Sequence, residues 1–126
     1  MHNTQLVLVV DDDPVLSGSM ADALIDAGYD VETAADGQAG LTIALDKHPG
    51  LIFLDYDMPI MNGIDMLSRL RADEWGQRAQ IIFATNSYDV AVINAVMAQG
   101  VKDYMLKSDT SLEQIVELAR SRLVSP

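Results

Sequence analysis

The sequence predicts a single α/β domain, a doubly wound parallel sheet of five strands flanked by five helices. Continuous aliphatic runs at 6–10, 51–54 and 81–84 are typical of parallel strands that are buried on both faces. Helical patterns separate these runs from one another and from two weaker ones, so strand and helix alternate five times along the chain. The common strand order for such a sheet is 2-1-3-4-5.

The first strand and the first helix have clear boundaries. "LVLVV" at 6–10 predicts the strand, and the helix over 14–27 begins after Asp13-Pro14, a capping residue followed by proline at the first helical position. Gly28 ends this helix. Its apolar face is formed by Leu16, Met20, Ala23, Leu24 and Ala27.

The remaining elements follow in strand–helix pairs, at 29–34 and 37–47, 51–54 and 63–72, 81–84 and 88–99, and 103–106 and 111–123. The strands at 29–34 and 103–106 are less apolar, and we place them nearer the edges of the sheet. Ser111 and Gln114 fit a capping box at the start of the last helix. The apolar face of that helix is formed by Leu112, Ile115, Val116, Ala119 and Leu123.

The composition limits the classes of protein to which the chain can belong. Its 126 residues suit one domain, 1–126, with a folded core over about 5–123. The net charge of −11 argues against direct binding to nucleic acid, and the absence of cysteine excludes disulfides and thiolate metal sites. Neither a membrane-spanning run nor a secretion signal is present, so we expect a cytoplasmic protein. The end "SRLVSP" favours a protein that stands alone, without a DNA-binding output domain.

Polar residues follow four of the predicted strands at their carboxyl ends. In chain order they are Asp11-Asp12-Asp13, Asp55-Tyr56-Asp57, Thr85-Asn86-Ser87 and Lys107. A doubly wound sheet binds ligands outside these strand ends, where the strand order reverses between the first and third strands. The acids, a hydroxyl and a lysine are therefore expected to meet at one edge of the sheet.

This combination of groups suits phosphoryl chemistry. Crowded carboxylates repel one another unless a cation neutralises them, and hard oxygen ligands suit Mg²⁺, with Mn²⁺ as an alternative. A carboxylate can also attack phosphorus and form an aspartyl phosphate. Because phosphoryl transfer depends on positioning and charge neutralisation, a metal, a lysine and a hydroxyl would supply what it needs.

The stretches "VLVVDDDP", "LIFLDYDMPIMNG", "IIFAT" and "KDYMLK" resemble the receiver domain of two-component response regulators, the CheY-like family with a flavodoxin-like fold. The resemblance covers essentially the whole chain. It extends to the separations of thirty positions from Asp55 to Thr85 and twenty-two from Thr85 to Lys107. It implies a signalling phosphoprotein that catalyses only its own phosphorylation and dephosphorylation, and is otherwise not an enzyme.

The resemblance also assigns roles to the acids. Asp55 would be the phosphoacceptor, which takes the phosphoryl group from a phosphohistidine on a sensor histidine kinase or phosphotransfer protein. Asp11 and Asp12 would hold Mg²⁺ together with Asp55 and the backbone carbonyl of Asp57. Asp13, in contrast, is predicted to be only a helix cap.

The same resemblance implies a switch. Thr85 would donate a hydrogen bond to one phosphoryl oxygen, Lys107 would pair with another, and Tyr104 would move inward with the threonine. The switching face would comprise the fourth helix, the fifth strand and the start of the fifth helix, around Ala91, Asn94, Ala95 and Tyr104. It would contact a downstream protein, whose identity the sequence does not give, or a second copy of the phosphorylated chain.

Three further positions would tune the lifetime of the aspartyl phosphate, namely Asp57, Asn86 and Ser87. Asn86 is larger than the small residue usual in this family. Ser108 stands where the family commonly has a proline after a cis peptide bond, and a cis bond before serine would cost about 3–4 kcal/mol. The reach of Lys107 is therefore less secure than its motif suggests. Asn62-Gly63 is interpreted as a turn, and His48 as a helix-end residue.

Two alternatives compete with this hypothesis. A phosphohydrolase of the haloacid dehalogenase type also has Asp-x-Asp after an apolar strand, but its acid pair comes last in the chain, whereas Asp11-Asp12 comes first here. The chain also lacks an insertion long enough to form a substrate cap. The second alternative is a degenerate receiver that serves as a docking module without being phosphorylated, which Asn86 and Ser108 leave open.

Overall fold

The computed structural model describes residues 5–86 and 89–123. Strands and helices alternate as predicted, and their boundaries agree with the sequence expectation to within two residues. The elements are β1 (Leu6–Val10), α1 (Pro14–Asp26), β2 (Asp30–Ala34), α2 (Gly37–Lys47), β3 (Leu51–Asp55), α3 (Gly63–Arg71), β4 (Ile81–Thr85), α4 (Val90–Ala98), β5 (Asp103–Leu106) and α5 (Leu112–Arg122). Two short 3-10 turns, Gly76–Arg78 and Lys107–Asp109, were not predicted.

The five strands form one parallel sheet in the order β2-β1-β3-β4-β5, which confirms the predicted topology. The register aligns Val10 with Leu54 across β1 and β3. Because all strands run in the same direction, the residues that follow them lie along one edge of the sheet. The strand order reverses between β1 and β3, which are neighbours in the sheet, so the residues after these two strands lie near the centre of that edge.

Alternating side chains of the sheet build a core on each face. Val7 and Val9 of β1 belong to the core that α1 and α5 cover. Leu8 and Val10 belong to the core beneath α2, α3 and α4. Every residue of β1, β3 and β4 is buried, whereas the edge strands β2 and β5 are partly exposed. This difference explains why the edge strands are the less apolar runs.

The helix ends are capped as the sequence indicates. The Asp13 carboxylate accepts hydrogen bonds from the backbone N–H groups of Val15 and Leu16, which confirms its role as a cap. Ser111 and Gln114 form the predicted capping box of α5. His48 ends α2 in a left-handed conformation, with φ of 48°, and its ring stacks on Trp75 at a centroid distance of 4.2 Å.

None of the helices within residues 5–86 and 89–123 combines the length and the apolar character that crossing a membrane requires.

Candidate functional site

Asp11 and Asp55 lie side by side at the centre of the carboxyl edge. Each directly follows or ends a buried strand, and the pairing of Val10 with Leu54 brings the two acids into register. Since Val10 and Leu54 face the core under α2–α4, alternation directs Asp11 and Asp55 towards the opposite face. Both residues are buried, with 4% and 5% of their surface exposed. Two buried acids with oxygens within 4.8 Å of each other require compensating partners.

A third carboxylate completes a cluster that fits a metal ion. Oxygens from Asp11, Asp12 and Asp55 all lie within 4.8 Å of one another, and the Asp12 side chain reaches solvent. Three hard oxygen donors, one of them open to water, form the donor set that Mg²⁺ or Mn²⁺ prefers. The side chain of Asp57 is exposed and does not join this cluster.

Lys107 reaches two of the three carboxylates. Its Nζ atom lies 2.7 Å from Asp11 Oδ2 and 3.1 Å from Asp55 Oδ2, and only 7% of the lysine side chain is exposed. The lysine follows β5 and must cross β4 to reach these acids. The residue of β4 in register with Asp55 is Ala84, which has a short side chain. The peptide bond before Ser108 is trans. The lysine therefore reaches the site without the proline that is usual in the resembling family.

The remaining oxygens of the two buried acids are held by backbone. Asp11 Oδ1 accepts a hydrogen bond of 2.9 Å from the N–H of Asp13, and Asp55 Oδ1 accepts one of 2.9 Å from the N–H of Tyr56. In each carboxylate, one oxygen thus accepts a hydrogen bond from a backbone N–H and the other is paired with the Lys107 ammonium. This arrangement fixes the orientation of Asp55 and leaves its Oδ2 beside the ammonium of Lys107.

The pKa values of Asp55 and Lys107 reflect both burial and the neighbouring charges. Burial raises the pKa of Asp55 to about 6, although Lys107 opposes the shift, and the charge of Asp11 adds to it. Burial alone would lower the pKa of Lys107, but its bonds to Asp11 and Asp55 outweigh that effect and raise the pKa. The lysine therefore remains an ammonium, and Asp55 is a carboxylate above about pH 6.

The other predicted site residues lie at varying distances from this centre. Thr85 is buried at the end of β4, one residue beyond the partner of Asp55. Tyr104 is 43% exposed on β5, where it pairs with Phe83, and Asn86 is exposed. Ser87 lies outside the described residues. The roles assigned to Thr85, Tyr104 and Asn86 stay predictions.

Gly63 contributes to the site in a way that the sequence interpretation missed. A Cβ atom at this position would collide with the backbone carbonyl oxygen of Asp55. The Gly63 N–H donates a 2.9 Å hydrogen bond to the carbonyl of Tyr56, and Asn62 caps α3 by accepting from the N–H of Asp65. The Asn-Gly pair is therefore not a separate turn, as predicted, but the cap and first residue of α3, and its glycine lets α3 begin directly against the strand end that carries Asp55.

Comparison with known proteins gives a consistent result. A sequence model of the response regulator receiver domain matches residues 7–120. The DNA-binding response regulator MtrA of Mycolicibacterium smegmatis is 35% identical over 119 residues, which are 94% of this chain and 50% of that protein. The chain thus spans about half the length of this curated relative.

Solved structures resemble the chain over nearly its whole length. The chemotaxis protein CheY4 of Vibrio cholerae superposes with a TM-score of 0.85 at 28% identity, covering 94% of this chain and 98% of CheY4. A response regulator receiver protein from Pseudomonas putida superposes with a TM-score of 0.83 at 31% identity, covering 92% of this chain and 95% of the other. The fold and the arrangement of strands are shared with these proteins.

Proposed function

Because this chain belongs to the response regulator receiver domain family, we propose that Asp55 accepts a phosphoryl group from a phosphohistidine of a sensor kinase or phosphotransfer protein in the cytoplasm. The observation that carries the proposal is the position of Asp55, buried next to Asp11 and bonded through Oδ2 to Lys107. A carboxylate held in this way is oriented, and it is charged at neutral pH.

In the proposed step, one carboxylate oxygen of Asp55 forms a bond to phosphorus. The bond between phosphorus and the imidazole nitrogen of the partner breaks, and its electron pair remains on that nitrogen. The Nζ of Lys107 already lies 3.1 Å from the carboxylate, so it can pair with a phosphoryl oxygen after a small movement. Thr85, buried at the end of the neighbouring strand, would donate a hydrogen bond to another phosphoryl oxygen.

Asp11, Asp12 and Asp55 would hold a magnesium ion, together with the backbone carbonyl of Asp57. The ion, when bound, supplies positive charge against the phosphoryl oxygens. Asp12 is the exposed member of the cluster, which leaves a path for exchange with solvent. Asp57, Asn86 and Ser87 would tune the hydrolysis of the aspartyl phosphate, and the exposure of Asp57 and Asn86 is compatible with contact to the attacking water.

The output surface would be formed by α4, β5 and the start of α5. Helix α4 is apolar in sequence, yet Val96 is its one buried residue, and Ala91, Asn94 and Ala95 are all exposed. Tyr104 lies beside it on β5 and is 43% exposed. An exposed apolar helix next to an exposed tyrosine suits a protein-binding face, either for a downstream target or for a second phosphorylated copy.

The test is labelling with a small phosphodonor, or saturation with beryllofluoride, in the presence and absence of Mg²⁺. We expect the wild-type chain to respond only with Mg²⁺, and Asp55→Asn to lose the response. Asp57→Asn is the matched control, because it makes the same chemical change two residues away on an exposed side chain. This control should remain labelled, with an altered lifetime of the phosphoryl group.

Two results would contradict the proposal. A wild-type chain that is not labelled would favour the docking module that acts without phosphorylation. Labelling that persists in Asp55→Asn would place the acceptor on another residue.

A further inference from the structure

A second cavity lies at the opposite edge of the sheet from Asp55. Its volume is about 350 Å³, and its floor is formed by the first residues of β3, β4 and β5. Four of the eight basic residues of the chain line it, namely Arg71, Arg78, Lys102 and Arg122. One carboxylate, Asp103, lines it with them. A concentration of positive charge is unusual in a chain with a net charge of −11.

Three of the four cations have no carboxylate partner within the described part of the chain. Arg122 is neutralised, since it forms a two-pronged pair with Asp103 at 2.7 Å and 3.0 Å. Arg78 and Lys102 are exposed and make neither an ion pair nor a side-chain hydrogen bond with residues 5–86 and 89–123. Asp73 and Glu74, the acids nearest to Arg78 in sequence, line a neighbouring groove that Arg78 also borders, but neither forms an ion pair with it.

Arg71 is partly buried in the wall of the cavity. Its Nε donates to the carbonyl of Gln99, and its Nη1 donates to those of Gly76 and Ala79. These neutral acceptors leave the guanidinium charge uncompensated, and burial lowers its pKa. Its Nη2 has no acceptor among the described residues.

Helix dipoles account for part of this arrangement. Arg71 and Arg122 lie in the last turns of α3 and α5, where basic residues stabilise helix ends. This explanation does not extend to Arg78, in a 3-10 turn, or to Lys102, just before β5. Both nevertheless line the same cavity as Arg71. The cavity therefore carries excess positive charge that a bound anion would neutralise.

We propose that this cavity binds a small anion that carries phosphate groups, a function separate from the phosphoacceptor site. Guanidinium groups match phosphate oxygens in geometry as well as charge. The volume lies at the lower end of the range of roughly 300–1,000 Å³ for small-molecule sites. A long polyanion would meet the net negative charge of the whole domain, whereas a small anion experiences mainly the charges within about 10 Å.

The experiment uses inorganic pyrophosphate as the probe, in EDTA and at low ionic strength, so that no metal can recruit the anion to the acidic site. Trp75 is the sole tryptophan, and it lines the adjacent groove together with Arg78. Tryptophan fluorescence therefore reports binding near Trp75, and calorimetry measures the same binding independently. A parallel titration with a nucleoside triphosphate distinguishes two kinds of site. Equal affinities for pyrophosphate and the nucleotide indicate a site for free phosphates. Tighter binding of the nucleotide indicates a site for phosphorylated metabolites.

The variant Arg78→Gln with Lys102→Gln should weaken pyrophosphate binding by about tenfold or more, because two charge-assisted contacts are lost. It should fold normally, since neither side chain has a partner in the described residues. Arg69→Gln with Arg120→Gln is the matched control, because it removes the same number of charges from exposed arginines outside the cavity, and it should bind as wild type does. Binding to Asp55→Asn should also be unchanged, which separates this site from the proposed acceptor.

The proposal is overturned if the wild-type chain shows no saturable binding up to about 10 mM pyrophosphate, because the Kd would then exceed the millimolar range of weak complexes. It is also overturned if Arg69→Gln with Arg120→Gln weakens binding as much as Arg78→Gln with Lys102→Gln does, because the effect would then come from net charge alone.

Discussion

The Nζ atom of Lys107 lies 3.1 Å from Asp55 Oδ2, although the two residues stand at the ends of strands separated by β4. The same ammonium lies 2.7 Å from Asp11. The lysine thus neutralises two of the three carboxylates that we propose to hold Mg²⁺. Metal and lysine act on the same charges, so the stability of the domain and its affinity for metal are coupled.

The first prediction concerns pH. The folded chain holds a proton on Asp55 up to about pH 6, whereas the unfolded chain releases it near 3.8. The folded state therefore binds more protons between these values, and the contribution of Asp55 to stability falls as pH rises through this window. In EDTA, Asp55→Asn should be more stable than wild type by about 2–3 kcal/mol above pH 6 and equal to it near pH 4.

Urea unfolding at several pH values between 4 and 7.5 measures this difference. Asp57→Asn serves as the control, because its carboxylate is exposed, and its stability should run parallel to that of the wild type. If Asp55→Asn were less stable than wild type at pH 7.5, attraction to Lys107 would outweigh the cost of burying the charge.

The second prediction concerns Lys107 itself. Lys107→Met leaves Asp11 and Asp55 buried without their cation, so the metal-free domain should lose about 2–4 kcal/mol at neutral pH. Mg²⁺ replaces the missing charge, and it should therefore raise the melting temperature of this variant more than that of wild type. Thermal melts with and without Mg²⁺ measure both effects.

Lys102→Met removes an exposed lysine near the start of β5 and should change stability by less than about 0.5 kcal/mol. Equal melting temperatures for the two lysine variants would show that the contacts of Lys107 with the acids contribute nothing to folding.

The order of strands and the gathering of acids at one edge were predictable from the sequence, because they depend on alternation and on strand ends. The position of Asp55 beside Asp11 follows from the register of β1 with β3. The contact between Lys107 and Asp11 did not follow in this way, because strand register does not fix how far a lysine side chain reaches across the intervening strand.

Local backbone geometry could not be predicted from the sequence either. Ile60 has φ of 69° and is 83% exposed. A β-branched residue is rare in this left-handed region, and strain of this kind concentrates near functional sites. Neither Pro59 nor Asn62 indicates it, because both residues are compatible with other backbone conformations. The 3-10 turn that begins at Lys107 was missed because three residues carry too little periodicity to be recognised.

The third prediction compares one substitution at two glycines. Gly63→Ala places a methyl group against the carbonyl of Asp55, so either α3 or the end of β3 must shift. Gly18→Ala introduces the same methyl group on α1, where no atom beyond the adjacent backbone of the helix lies within 4 Å. Alanine favours the helix there, and Gly18→Ala should stabilise the domain by about 0.5–1 kcal/mol. Gly63→Ala should instead destabilise it by about 1–3 kcal/mol.

The position of Gly63 gives this comparison a functional consequence. Any shift at the end of β3 moves Asp55 relative to Lys107, whose Nζ now lies 3.1 Å away. Gly63→Ala should therefore also slow Mg²⁺-dependent labelling of Asp55, while Gly18→Ala leaves it unchanged. Urea unfolding and initial labelling rates on the same preparations measure the two effects. A Gly63→Ala chain that is as stable and as rapidly labelled as wild type would show that α3 retreats without moving Asp55, and that the close approach of helix and strand has no part in positioning the acceptor.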